Sequence, residues 1–381
     1  MTQAEQRIYL VGAGQIARLH ATVAGKLPVP VALSVADPDP GSRATFAESF
    51  PGARVHPDAA TMLAEPARDD DIVVVATPPY AHAAMTALAL ESGRHVLCEK
   101  PLAKDFAEAE SMVGLARAKG LLLADCAARF RDIATTRALR DVVPRLGPPH
   151  RMRYVHRQRR SRTAIDSDSP PWFLDRSRTG GGILMDWGPY DLTLLDDLLA
   201  PVSVEVRDAW LANPRTALNL PPGTVFDVET QVGATLVYEL AGGERVHVDY
   251  EHAACTHGLE RREAELDGLD GSAHWDWLAG IFGAGPPTIA LGRDQAGAPA
   301  TDQIEVTGVE KPYDITHKLL ASFSRLVRGE VAAAPDVLLA EDALFVFGCL
   351  RAIYDCAATG TAQRVERAAT TATTATAGGV R

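Results

Sequence analysis

The stretch IYLVGAGQIARLHA, residues 8–21, decides how the chain is read. An apolar, β-branched run meets Gly12, Ala13 and Gly14 and then gives way to helical spacing. Gly12, Gly14 and Ala17 fill the G-x-G-x-x-G/A pattern. The first small residue permits a tight turn, the second lets backbone approach a diphosphate, and the third lets helix pack on strand. The helix N-terminus then faces phosphate, so Gly12, Gly14, Gln15 and Ile16 are candidate cofactor-binding residues. After the second apolar run comes Asp37, in SVADPDP, suited to accept from both ribose hydroxyls and to repel a 2′-phosphate. NAD is the expected cofactor; Arg43 nearby offers a phosphate contact and keeps NADP open.

Outward from this turn the same alternation repeats. The runs VALSVAD, DIVVVATP, RHVLCE and LLLADC are separated by alanine-rich helical stretches. Strands buried on both faces read as continuous apolar runs, and intervening helices force parallel pairing. Residues 1–125 are therefore expected to form a doubly wound parallel α/β domain. Beyond them, RMRYVHRQ, SVEVRDAWL, TQVGATLVYEL, RVHVDYEHA and EAELDGLDG follow one another with few helices. That pattern predicts an α+β domain over residues 126–365, built on a large open, mostly antiparallel sheet. A stretch rich in glycine, alanine and proline, residues 280–302, reads as a surface loop. AEDALFVFGCLRAIYDCAAT has helical spacing, and the low-complexity tail, residues 366–381, reads as disordered.

A length of 381 residues fits two domains, and 46% hydrophobic content supports globular cores. The net charge of −11 argues against nucleic acid or an anionic membrane as partner. Five cysteines without a CxxC pair suggest neither a disulfide framework nor a zinc ribbon. With no long apolar segment, a cytoplasmic protein is expected, with small-molecule partners. The broad open sheet further predicts a homodimer or homotetramer.

Two further motifs fall where chemistry is expected. Thr77 and Pro78, followed by His82, close the third long apolar run, and Glu99, Lys100 and Pro101 close the next. Both lie at the carboxyl edge of the sheet, where open α/β folds bind ligands, so Thr77, Pro78, His82, Glu99 and Lys100 join the cofactor-binding candidates. In TGGGILMDWGPYDL, Asp186 and Tyr190 are four apart and share one helix face.

From VGAGQIA through ATPPYAH, GRHVLCEKPLA and GGGILMDWGPYDL to the terminal helix, the chain resembles the glucose-fructose oxidoreductase, inositol dehydrogenase and rhizopine-catabolism (Gfo/Idh/MocA) family. The resemblance implies NAD(P)-dependent interconversion of a secondary alcohol and a ketone on a sugar, cyclitol or nucleotide-linked sugar. It places Lys100 beside nicotinamide and the substrate hydroxyl, and makes Pro101 a candidate cis proline. Where many members carry Asp-x-x-x-His, this chain has Tyr190, as do members similar to dimeric dihydrodiol dehydrogenase. Reduction of a dihydrodiol or small carbonyl is thus an alternative, and a cofactor-holding sensor is another.

The expected catalytic set is Lys100, Tyr190 and Asp186, with Lys100 lowering the pKa of the phenol so that it exchanges the alcohol proton. Arg129 and Trp172 are substrate-binding candidates by the same resemblance, alongside Asp186 and Tyr190. Arg151, Arg153, Arg157 and Arg159 fall on one strand face, either as solvated surface or as a cationic wall for a phosphorylated substrate. Glu251, His252, Cys255 and His257 cluster in EHAACTH, but the alternating strand pattern argues against a metal, and none is expected.

Overall fold

The computed structural model describes residues 5–158, 171–213, 222–256, 258–281 and 286–368. Strands β1 (Gln6–Val11), β2 (Val31–Ala36), β3 (Arg54–His56), β4 (Ile72–Val75), β5 (His95–Cys98) and β6 (Leu123–Asp125) pair in parallel, in the order β6-β5-β4-β1-β2-β3. Ile8, Leu10, Val73, Val74 and Leu97 are fully buried between helical layers, each side chain contributing on the order of 1.5–3 kcal/mol.

Helices α1 (Gln15–Ala24), α2 (Pro40–Ser49), α3 (Ala59–Leu63), α4 (His82–Glu91) and α5 (Phe106–Lys119) make the crossovers. Asp39, Asp58 and Asp105 cap α2, α3 and α5 by accepting from backbone amides. Helix α1 is different: its cap is Gly14, which brings no side chain, and its first turn carries no acid. Its amides are left for a ligand. The strand order reverses between β1 and β4, which opens the crevice beside that turn.

The second sheet contains β7 (Pro149–Arg157), β8 (Pro201–Ala212), β9 (Gln231–Leu240), β10 (Arg245–Ala253), β11 (Arg261–Gly268), β12 (Ser272–Trp275), β13 (Thr288–Gln295), β14 (Ala298–Glu305) and β16 (Gln363–Glu366). Their order is β14-β13-β12-β11-β7-β10-β9-β8-β16, antiparallel except where β7 and β10 run in parallel. Side chains alternate: Val246, Val248, Tyr250 and His252 of β10 point inward, while Arg245, His247 and Asp249 point to solvent.

Helices α6 (Ala134–Val142), α7 (Arg176–Thr179), α8 (Ile183–Leu199), α9 (Pro312–Val327) and α10 (Ala340–Thr359) complete the fold. Nearly all of α8 is buried, because it packs against β9 and β10 and against the turn that follows β6. Late segments return to the first sheet: β15 (Leu338–Leu339) pairs antiparallel with β6, and α9 lies on α1.

Residues 280–302, expected as a loop, contain most of a hairpin. β13 and β14 pair through a two-residue turn in which Ala296 and Gly297 both have positive φ, at 51° and 81°. This is the turn geometry that matches strand twist. Only Ile289 and Leu291, at the start of β13, are buried; the rest of the hairpin is largely polar and exposed, which gives it a loop-like composition. At the other end, Glu366 belongs to β16 and the Arg367 guanidinium donates to the Pro201 carbonyl at 3.0 Å. The remainder of the expected tail, residues 369–381, lies outside the described residues.

Candidate active site

The glycine turn is shaped for close approach. Gly12 has φ of +103°, and a Cβ there would sit 2.6 Å from the Ala76 carbonyl oxygen, so a side chain is excluded by both strain and space. A Cβ on Gly14 would meet nothing within 4 Å. Gln15 is exposed and Ile16 half-buried at the mouth of the same turn. Open space over uncapped helix amides fits a diphosphate. The Ala13 amide donates to Asp37 Oδ2 at 2.8 Å and the Asp39 amide to Oδ1 at 2.9 Å, which fixes the carboxylate beside the turn. Arg43 donates instead to the carbonyls of Asp37 and Pro38, at 2.6 and 3.0 Å.

Across the crevice, Thr77 and Pro78 follow β4 and are half-buried. His82 is fully buried, with Nδ1 2.8 Å from the Pro101 carbonyl oxygen and Nε2 2.8 Å from that of Thr77. It braces the two loops against each other. Burial draws its pKa down, against the opposing pull of the two carbonyls.

The Lys100–Pro101 bond is cis. Lys100 Nζ donates to Asp186 Oδ1 at 2.7 Å and to the Asp186 carbonyl at 2.8 Å, and lies 5.2 Å from the centroid of the Tyr190 ring. Thus β5 and α8, from the two halves of the chain, bring the three expected residues together. Burial disfavours the ammonium, but Asp186, with Tyr190 and Glu99, outweighs it and the Lys100 pKa is raised. For Tyr190 the balance is reversed. Burial exceeds the combined effect of Arg129 and Lys100, so its pKa is raised. The expected net lowering does not occur, because burial of the phenol outweighs the two nearby cations.

The hydroxyl has another partner. Arg129 Nη1 donates to Tyr190 Oη at 2.8 Å, and Nη2 donates to Glu99. Glu99 also lies 2.7 Å from His20 Nε2 on α1. Burial works against the Glu99 carboxylate, yet Arg129, then His20 and Lys100, hold it well below the usual range. Asp125, at the end of the neighbouring strand, has no ion-pair partner among the described residues; burial pushes it up to about 7. Glu99 and Arg129 thus form a strut between α1 and Tyr190.

Phe130 and Trp187 wall the phenol, with ring centroids 4.8 and 5.7 Å from that of Tyr190. Trp172 stacks on Phe173 at 4.1 Å in the turn before α7. Four groups that sequence reading missed complete the arrangement: His20, Asp191, Trp187 and Glu229. Glu229 accepts from the amides of Gly182 and Leu184, at 2.8 and 3.1 Å, and so caps α8 from the chain before β9. Cβ atoms on Gly180, Gly181 and Gly182 would collide with the Lys104 carbonyl, the Tyr354 ring and the Glu229 backbone in turn, which explains the triple glycine. Trp187 had a signal, since it follows Asp186 directly; the others depend on pairings across the fold.

The arginine face of β7 is not a cationic wall. Arg151 pairs with Asp249 and Asp267, at 3.8 and 3.7 Å, and Arg157 with Glu251 at 2.6 Å. Acids on the flanking strands pair with those two, and Asp249 and Glu265 stand opposite Arg153 in register; Arg159 lies outside the described residues, as does His257. His252 turns to the opposite side of the sheet from Glu251, so EHAACTH does not converge on one point.

Comparison with known proteins agrees with this architecture. Residues 6–125 match the model of an oxidoreductase family with an NAD-binding Rossmann fold, and residues 136–274 match the GFO/IDH/MocA C-terminal domain. A putative UDP-kanosamine synthase oxidoreductase subunit of Amycolatopsis mediterranei is 28% identical over 329 residues, covering 81% of this chain and 87% of that protein. Inositol 2-dehydrogenase 4 of Saccharopolyspora erythraea is 28% identical over 249 residues, 63% and 68% of the two chains. Levoglucosan dehydrogenase, solved with NADH and levoglucosan, superimposes with a TM-score of 0.78 at 19% identity, over 96% of this chain and all of that one. With matching family models across both regions and a crevice built for a dinucleotide, the chain belongs to the Gfo/Idh/MocA family of NAD-binding oxidoreductases.

Proposed function

We propose that this protein moves a hydride between NAD and a carbon bearing a secondary alcohol or ketone in a sugar, cyclitol or nucleotide-linked sugar. The observation that carries the reading is the meeting of Lys100, Asp186 and Tyr190 at the carboxyl edge of the first sheet. Relatives named as a UDP-kanosamine synthase oxidoreductase subunit and an inositol dehydrogenase support the substrate class.

Gly12, Gly14 and the first turn of α1 would hold the diphosphate of NAD, and Asp37 the ribose; bound NAD supplies the hydride acceptor. Asp186 holds the Lys100 ammonium, which stabilises negative charge on the substrate oxygen. Because Tyr190 Oη accepts from Arg129, its own proton is free for donation. Both Lys100 and Tyr190 have raised pKa values, so both are protonated at neutral pH. The site is therefore set to protonate the oxygen of a ketone. Alcohol oxidation requires one of them to lose its proton, and should accelerate as pH rises.

Two wider expectations accompany this reading. The buried thiols of Cys98, Cys126, Cys349 and Cys356 fit a reducing compartment such as the cytoplasm; among the described residues no helix is long and apolar enough to cross a membrane. Trp210, 45% exposed on β8, gives the second sheet an aromatic contact for another copy of the chain.

The test is an absorbance screen at the nicotinamide band, using NAD with levoglucosan, inositol and UDP-linked sugars. Reduction of NAD by one of them, lost in Lys100→Met, is the expected result. Turnover confined to dihydrodiols or small carbonyls would sink the substrate class.

A further inference from the structure

The start of α8 is held by a single residue. Three successive amides, those of Gly182, Ile183 and Leu184, donate to Glu229: the first and third to Oε1, at 2.8 and 3.1 Å, and the second to its backbone carbonyl at 3.0 Å. A helix start leaves such amides without partners in their own turn, and Gly182 brings no side chain to serve them. Glu229 is 2% exposed, so water has little access to take its place.

Glu229 is itself fixed from several directions. The amide of the next residue, Thr230, donates to the Ala212 carbonyl at the end of β8, at 3.0 Å, and its carbonyl accepts from Ala254, just after β10, at 2.8 Å. Tyr354 on α10 donates to Oε1 at 2.6 Å, and Arg176 on α7 lies 3.5 Å from Oε2. The second sheet thus fixes where α8 begins.

One turn further on, the same helix start meets the reacting groups. The Asp186 amide donates to the Gly182 carbonyl at 3.0 Å, the first hydrogen bond within the helix, and Lys100 Nζ grips both Oδ1 and the carbonyl of Asp186. The turn before α8 rests on the loop that carries Lys100, since a Cβ on Gly180 would sit 2.3 Å from the Lys104 carbonyl oxygen. Slack at Gly182 would pass directly to the two oxygens around the ammonium.

We propose that Glu229 is a positioning residue for the reaction: it fixes the first turn of α8 and, through it, the Asp186 oxygens that hold the Lys100 ammonium in the crevice. Its effect on turnover rests on the hydride-transfer reading above; its hold on Lys100 does not. Without the cap the Asp186 oxygens withdraw, and burial then lowers the pKa of the ammonium. The other titratable groups facing Lys100 are Tyr190 of α8, Glu99 after β5 and Asp125 of β6. Arg129 holds the first two and the Ala127 amide the third, so none of them is in direct contact with Glu229.

The experiment uses the full chain and follows modification of Lys100 by cyanate against pH, by mass spectrometry of the peptide that carries it. NADH binding and turnover are measured alongside. In Glu229→Ala a given modification rate should be reached about one pH unit or more lower than in the wild type. Its kcat should fall about 10- to 100-fold, with KM and NADH binding nearly unchanged. Glu229→Gln, whose amide oxygen still accepts from Gly182, Leu184 and Tyr354, should restore both. A folded Glu229→Ala that melts earlier but keeps the wild-type pH dependence at Lys100 would overturn the proposal, as would a glutamine variant no better than alanine. Should Glu229→Ala fail to fold, Glu229→Asp, which keeps the charge but draws the acceptor back by one methylene, decides on the same pH dependence. If the wild type turns over no sugar or cyclitol, the hydride-transfer reading fails, while the Lys100 profile still decides whether Glu229 sets the ammonium.

Discussion

Glu99 and Asp191 are both buried carboxylates beside α8, and the protein satisfies them in opposite ways. At the edge of the first sheet Glu99 is matched by a guanidinium and a histidine. On the inner face of the second sheet Asp191 receives two phenols and a histidine. The ionic strut concentrates its energy in one pair and reaches the reacting groups through Tyr190. The phenolic cluster spreads its energy over several neutral donors and sets the packing of strands. Removing one ion of a buried pair strands the other, whereas removing one of several neutral donors leaves the rest in place.

The sharpest break should come at Lys100, the neighbour of Glu99 that carries the proposed chemistry. Lys100→Met should lower turnover about a thousandfold while leaving NADH binding, read by fluorescence titration, nearly unchanged. Arg129→Met should cost about 3–5 kcal/mol in urea unfolding, because it strands Glu99 in an apolar setting. A cost no greater than that of a surface arginine would erase the contrast between the clusters.

Asp125 sharpens the comparison as a carboxyl with no ion-pair partner among the described residues. Its folded pKa, about 7, stands above the unfolded value, so the native state holds the extra proton in between and stability falls as pH rises through that window. Asp125→Asn should therefore be more stable than wild type at about pH 8, with the advantage shrinking by about 2–3 kcal/mol on lowering to about pH 5. Glu99 has the reverse sign: its depressed pKa stabilises the fold above the ordinary carboxylate range and is lost only in strong acid. Tyr154→Phe should cost least, about 1.5 kcal/mol, since Tyr250 and His252 remain on Asp191. For activity, oxidation should keep climbing past the ordinary phenol range and ketone reduction should decline only above it, because burial raises Tyr190 rather than lowering it.

Local pattern carried much of this. The Gly12 turn, the parallel strands that end at Thr77 and Glu99, and the span of α10 follow from spacing, since glycine sterics and apolar periodicity act over a few residues. Asp186 and Tyr190 were legible as one helix face for the same reason. The β13–β14 hairpin was not, because its buried alternation is confined to Ile289 and Leu291 at the start of β13, too short a run to stand out beside the polar residues that follow.

By itself, then, the sequence determined the two-part architecture and the dinucleotide cradle, and marked Lys100, Asp186 and Tyr190 as candidates. Only the tertiary structure decided that Arg129 turns to Tyr190 and Glu99, that Glu229 caps α8, and that His156 meets His252. Those partners are separated by tens of residues or more. Their pairing depends on strand register and on burial, which set the strength of each charge and exist only once the chain has folded.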